Sequence, residues 1–246
     1  MIEELLNEIS NEYPELPSEL FVLAKKIYSN DNRTKEEVKS EIYGQIKKYK
    51  LMEELISVPI NEDVLANSII LIGPMGVGKS TISNEIYKKT KLSKISLDDR
   101  NLLSSIYSER EKFDNFKDFE FYLTTRVLSG LNQPAVIDFG AGHSIYENPL
   151  MFIEMKKFLS RFQNIVFLIP TQDKETSLNI INQRLIDKRS VNNHQLNDNR
   201  HFVYSPCNES LATITEYTFN KSPEEISNDI IEQIHELQKQ SYHHNM

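Results

Sequence analysis

Gly73-Pro74-Met75-Gly76-Val77-Gly78-Lys79-Ser80 has the eight-position spacing G-x-x-x-x-G-K-[ST]. A polyphosphate chain needs many donors converging on a small volume. Glycines can take φ > 0, so Gly73, Gly76 and Gly78 let the backbone wrap with the amides of Met75, Val77 and their neighbours pointing inward. A helix beginning at Lys79 would bring the N–H groups and positive dipole end of its first turn, through Ser80 and Thr81, to the same anion. Lys79 supplies a mobile point charge for the terminal phosphates. Ser80 supplies a hydroxyl for Mg²⁺, an ion that takes few protein ligands and keeps water.

Acidic and basic groups elsewhere fit the same chemistry. Asp98 and Asp99 follow the strand candidate Lys94–Leu97. Acids at a strand end can hold Mg²⁺ or orient an attacking hydroxyl and accept its proton; either one can equally cap a following helix. Asp138 ends Pro134-Ala135-Val136-Ile137-Asp138, the position of a second magnesium-directed acid in nucleotide-hydrolysing proteins of this kind. Gly140-Ala141-Gly142-His143 follows, a small-residue loop that lets a substrate approach the backbone, with His143 either touching that substrate or facing solvent. Arg184, Arg189 and Arg200 flank the polar stretch Ser190–Arg200, which reads as a mobile loop. Of the three, Arg189 is best placed to be carried onto the transferring phosphate by a closing loop.

These groups need a scaffold. From Asn67 onward, strand patterns alternate with helical ones. The strands are expected at Ser68–Ile72, Lys94–Leu97, Ala135–Phe139, Asn164–Ile169 and Ala212–Thr215. The helices are expected at Lys79–Thr90, Asp99–Tyr107, Phe116–Gly130, Pro149–Ser160, Asp173–Ile186 and Pro223–Lys239. Apolar strand runs separated by helices indicate an α/β fold, a five-stranded parallel sheet covered on both faces. Residues 1–60 carry no strand pattern. Leu16, Leu20, Leu23, Ala24 and Ile27 recur at helical spacing, as do Val38, Ile42, Ile46 and Tyr49, with a turn at Asn30-Asp31-Asn32 and a helix start at Thr34. The chain thus divides into a helical extension, 1–60, and a nucleotide-binding domain, 61–246. The extension either packs on that domain or binds a protein partner.

Composition narrows the classes. A net charge of −8 over 246 residues argues against a nucleic-acid surface. No apolar run is long enough to span a membrane, so none is expected as a partner. Cys207 is the one cysteine, which fits a reducing cytoplasm and excludes an internal disulfide.

From Asn67 to Gln238 the sequence resembles the shikimate kinase group of small-molecule P-loop kinases. The likeness rests on residues 73–81, on Phe116-Lys117-Asp118-Phe119-Glu120, on Gly140-Ala141-Gly142, and on Asp187-Lys188-Arg189. Tyr204–Ala212, followed by Ser222-Pro223-Glu224-Glu225-Ile226, resembles the group's last strand and helix. The resemblance implies the nucleoside monophosphate/shikimate kinase-like fold, ATP and Mg²⁺ as cofactors, and a lid arginine at Arg189. It implies an acceptor held by Asp98, Asp99, Lys117, Gly140, Ala141 and Gly142; Ser80, Asp98 and Asp138 are the expected metal contacts, although Asp138 stands where the group has a small neutral residue. The group grips its acceptor's carboxylate with arginines; here Lys117 and Asn208 stand at two of those positions. Lysine lacks the planar two-pronged grip and asparagine lacks the charge. A different hydroxyl compound is therefore the expected acceptor, with Lys79, Asp98, Asp99 and Arg189 as catalytic residues. The alternative is a nucleotide-hydrolysing regulator that signals through its N-terminal helices.

Overall fold

The computed structural model describes residues 2–16, 18–28, 33–188 and 193–244. Three helices open the chain: α1 (Ile2–Glu12), α2 (Ser18–Tyr28) and α3 (Lys35–Ile56). The short α4 (Glu62–Asn67) leads into β1 (Ile69–Ile72), and the phosphate loop joins β1 to α5 (Lys79–Thr90) and then β2 (Ser93–Ser96). Next come α6 (Ser104–Tyr107), α7 (Phe116–Ser129) and β3 (Ala135–Asp138), followed by α8 (Pro149–Leu159) and β4 (Asn164–Ile169). The chain continues through α9 (Lys174–Lys188), α10 (Asn193–Tyr204) and α11 (Cys207–Leu211) to β5 (Ile214–Tyr217), and α12 (Pro223–His244) closes it.

All five strands are parallel, in the order β2-β3-β1-β4-β5. Their side chains alternate between two apolar layers, as the two-residue strand period requires. Ile70, Ile72, Ile137, Phe167 and Ile169 join Phe119, Leu123, Met155 and Phe158 of α7 and α8 on one face. Ile69, Leu71, Val136, Val166 and Leu168 join Ile82, Ile86, Ile181, Ile230 and Ile234 of α5, α9 and α12 on the other. β1, β3 and β4 are buried along their whole length. Each large aliphatic side chain removed from water in this way contributes about 1.5–3 kcal/mol before entropy is counted.

The N-terminal helices have a separate apolar cluster, built on Leu5, Leu6, Ile9, Leu16, Val38, Ile42 and Ile46. Thr34 starts α3 with a capping box: its hydroxyl accepts from the Glu37 amide, and the Glu37 carboxylate accepts from the Thr34 amide. α3 also belongs to the sheet's core. It lies along α7 and α8, and Ile56 packs into the cluster of Phe119 and Phe158. Arg161, just after α8, donates to the carbonyls of Ile56 (2.8 Å) and Val58 (3.0 Å), which fastens the C-terminal end of α3.

Three expectations are corrected. The polar stretch 190–200 is not a loop over its described part: α10 runs from Asn193, held by buried Asn199 and Val203 rather than by an apolar stripe. Residues 207–211 form α11, so the last strand begins at Ile214 instead of Ala212. The helix expected from Asp99 begins only at Ser104, because Asp99 caps a turn first. Expectations for Asn30-Asp31-Asn32, for Arg189, and for the side chains of Leu20, Leu23, Ile27 and Tyr49 fall outside the described residues.

Candidate active site

The phosphate loop is set by how closely it approaches β4. Gly73 has φ 142°, and a Cβ there would stand 2.5 Å from the Leu168 carbonyl oxygen, so only glycine fits. Gly76 packs against Leu185 and Ile181 of α9, and Val77 is buried beneath the loop. Gly78 brings no side chain to cap α5, which leaves the helix's first amides for an anion. Thr81 lies exposed in that first turn.

Lys79 is buried, its ammonium donating to the carbonyls of Gly73 (2.8 Å) and Pro74 (3.1 Å). Burial pushes its pKa down, and the charges of Asp138 and Asp98 oppose that shift. Ser80 donates its hydroxyl proton to Asp138 Oδ2 at 2.5 Å. Burial raises the Asp138 pKa, with Lys79 and the Ser80 bond pulling the other way. A lysine, a hydroxyl and a carboxylate therefore converge at the C-terminal ends of β1 and β3, where ligands of open parallel sheets bind.

Sequence reasoning missed Asn199. Its side-chain oxygen accepts from the Met75 amide at 3.0 Å, and its nitrogen donates to Asn182 on α9 at 3.1 Å. One fully buried amide thus ties α10, α9 and the phosphate loop together. The partners lie 124 positions apart, and no local pattern announces the contact.

The other side of the site forms around residues 140–143. Asp98 and Asp99 have different surroundings. Asp99 Oδ1 accepts from the amides of Asn101 (3.1 Å) and Leu102 (3.0 Å), the capping role. Asp98 faces the loop after β3: a Cβ on Gly140 would lie 2.3 Å from Asp98 Oδ1 and 2.6 Å from His143 Nδ1. Lys117 donates to the Gly142 carbonyl at 2.8 Å and pairs with Glu120. Burial raises the Glu120 pKa against the pull of Lys117. Ala141, between the two glycines, is half-buried.

His143 is buried rather than solvent-facing, with burial depressing its pKa to about 3. Its Nδ1 is 3.9 Å from Glu120 Oε1, and neither ring nitrogen has a well-aligned hydrogen-bond partner among the described residues. Asn208 contacts Ser144, the residue after His143. It is fully buried, accepting from the Ser144 hydroxyl (2.7 Å) and donating to the Phe202 carbonyl (3.4 Å). Arg200 is exposed beside Glu175 on α9.

This sheet order, with a buried lysine in the loop leaving the central strand, defines a P-loop kinase. The chain is 32% identical over 176 residues to a shikimate kinase of Enterococcus faecalis, across 69% of this chain and 99% of that protein. It belongs to the shikimate kinase family, small-molecule kinases with an alcohol group as acceptor. No family model matches it. Among solved structures it is similar in fold to a gluconokinase from Sinorhizobium meliloti. The TM-score is 0.51 at 15% identity, covering 74% of this chain and 99% of that one. A shikimate kinase from Acinetobacter baumannii in complex with shikimate gives 0.49 at 19% identity, covering 74% and 96%. Among the described residues no helix is long and apolar enough to cross a membrane.

Proposed function

We propose that the enzyme transfers the γ-phosphoryl group of ATP to a hydroxyl of a small acceptor lying between Asp98, Lys117 and the loop 140–142, and that this acceptor is not held by a pair of arginines. The observation that carries the reading is the contact of Ser80 with Asp138 beside buried Lys79. These are hard oxygen donors and few in number, the set that suits Mg²⁺. Ser80 and Asp138 would hold that ion, with Asp98 nearby, and when bound it would neutralise charge on the phosphates. The loop amides and Lys79 bind and orient the triphosphate. Asp98, free of the capping duty that Asp99 performs, orients the acceptor hydroxyl and takes its proton. Arg189 is proposed to add positive charge to the transferring group. Catalysis is then mostly positioning and electrostatics.

The two positions where the resemblance expects arginines support an acceptor that departs from the family pattern. Asn208 spends its polar atoms on Ser144 and Phe202, and Lys117 spends its charge on Glu120. Both are already engaged by the protein itself, which weakens any grip on a carboxylate. The separate apolar cluster supports residues 1–60 as a helical extension of a domain 61–246, and the single cysteine supports a cytoplasmic setting. ADP release with Mg·ATP and a panel of hydroxylated metabolites tests the proposal. Release that depends on an acceptor and disappears in Lys79→Ala is expected. Hydrolysis indifferent to every acceptor, with partner binding that follows turnover, would favour a regulatory switch instead.

A further inference from the structure

We infer that the N-terminal helices build one wall of the acceptor site, and that Gln45 on α3 is a specificity-determining residue for a neutral, polyhydroxylated acceptor. This rests on the kinase reading above and adds the acceptor's charge class and a role for the extension.

A 460 Å³ cavity opens beside Lys117, within the usual range for small-molecule sites. Its walls come from five places: the start of α7 (Lys117, Asp118), the end of the loop after β3 (Glu147, Asn148), α8 (Met151), α10 (His201) and Gln45 of the extension. Gln45 is built into that wall. Its side-chain oxygen accepts from Asn148 Nδ2 at 3.1 Å, while the Asn148 oxygen caps α8 through the Leu150 amide at 2.9 Å. The position of Gln45 is thereby tied to the loop that carries Gly140 and Gly142.

The charges of the cavity argue for an uncharged occupant. Among the described residues that line it, the one lysine already faces an acid, and the histidine lies beside another. Lys117 pairs with Glu120, and His201 Nε2 lies 3.5 Å from Glu147 Oε1. An anionic head group would meet Asp118 and Glu147 without an unspent positive charge to balance it. Hydroxyl groups suit the same surface, since they donate to carboxylates and accept from the amides of Gln45 and Asn148. The family relative is covered over 99% of its length by only 69% of this chain, so this chain has length to spare for such a wall.

A test separates wall from scaffold because of what lies behind Gln45. The residue also borders a second cavity of 190 Å³, lined by Leu6, Ile9, Phe21 and Ile46. Gln45→Leu therefore has apolar room to pack, and the helix keeps a good helix former. The wild-type chain and Gln45→Leu are assayed for ADP release with two neutral probes, myo-inositol and D-glucose, and two anionic ones, shikimate and gluconate. A neutral probe is expected to be the better acceptor in kcat/KM. Gln45→Leu should raise that acceptor's KM about 3–10-fold, the value of one hydrogen bond, with the KM for ATP and the thermal midpoint retained. Preference for the acids, no transfer to any probe despite ATP binding, or an unchanged acceptor KM in Gln45→Leu would each overturn the inference. Failure of the wild-type chain to bind ATP would instead sink the kinase reading beneath it.

Discussion

The two ends of the site are built differently. At the phosphate loop, backbone and side chains are fixed by close contacts to the sheet: Gly73 against Leu168, Lys79 on two carbonyls, Ser80 on Asp138. Around residues 140–143, His143 is buried with no well-aligned hydrogen-bond partner among the described residues, and Lys117 and Glu120 are spent on each other. On the proposed function the first end fits a triphosphate, a ligand of fixed shape, and its residue types follow from that shape. The second must fit whichever alcohol is phosphorylated. On the reading proposed above, its loop keeps two glycines, Gly140 and Gly142, but not the groups that would recognise an acid.

The largest test of this contrast is Lys79→Ala. Loss of Lys79, the one buried lysine or arginine among the described residues, should lower transfer about 10³-fold. The thermal midpoint should hold or rise, since a desolvated ammonium is removed. Transfer within tenfold of wild type would break the assignment of this end.

Next in size, the adjacent acids should separate. Asp98→Asn should reduce kcat about 10²-fold with little change in stability. Asp99→Ala should leave kcat near wild type and lower stability by about 1 kcal/mol through the lost cap. Equal kinetic effects in both would show that capping and chemistry are not divided between them.

His143 sharpens the comparison through pH. Folded, the ring titrates at about 3; unfolded, at about 6.5. As pH falls below about 6.5 the unfolded chain binds a proton that the folded chain refuses, so stability is lost on acidification, by about 2 kcal/mol between pH 7 and 5. Thermal midpoints of wild type and His143→Gln across that range should converge at low pH. Parallel curves would mean that the ring is not buried neutral.

The smallest expected effect lies in the extension. Thr34→Ala breaks the capping box of α3 and should lower stability by about 1 kcal/mol, read by urea unfolding, with the KM for ATP unmoved. No change at all would mean that the start of α3 is not held by its cap.

The same contrast governs what could be read from the sequence. The phosphate loop and the strands around it were legible because their causes are local: a glycine pattern, an apolar run, a helix start. β1, β3 and β4 fell within a residue of expectation for that reason. α10 was misread because its composition is polar and its burial comes from Asn199 and Val203 packed against distant partners. β5 slipped by two residues because it alternates buried and exposed positions and includes Glu216, buried in a contact with Lys221 at 2.7 Å. Which of Asp98 and Asp99 faces Gly140 depends on a turn whose direction the two identical residue types could not reveal. That Gln45 reaches Asn148, 103 positions later, could not be read from either neighbourhood.

Because α3 contributes Ile56 to the sheet's own core, and Arg161 clasps that end of the helix, the extension cannot be clipped off cleanly. A shortened chain beginning at residue 61 would bare the oily strip on α7 and α8 and leave a guanidinium without its two carbonyls. Such a fragment should clump or melt early, and its inactivity would then say nothing about whether the missing helices recognise a substrate.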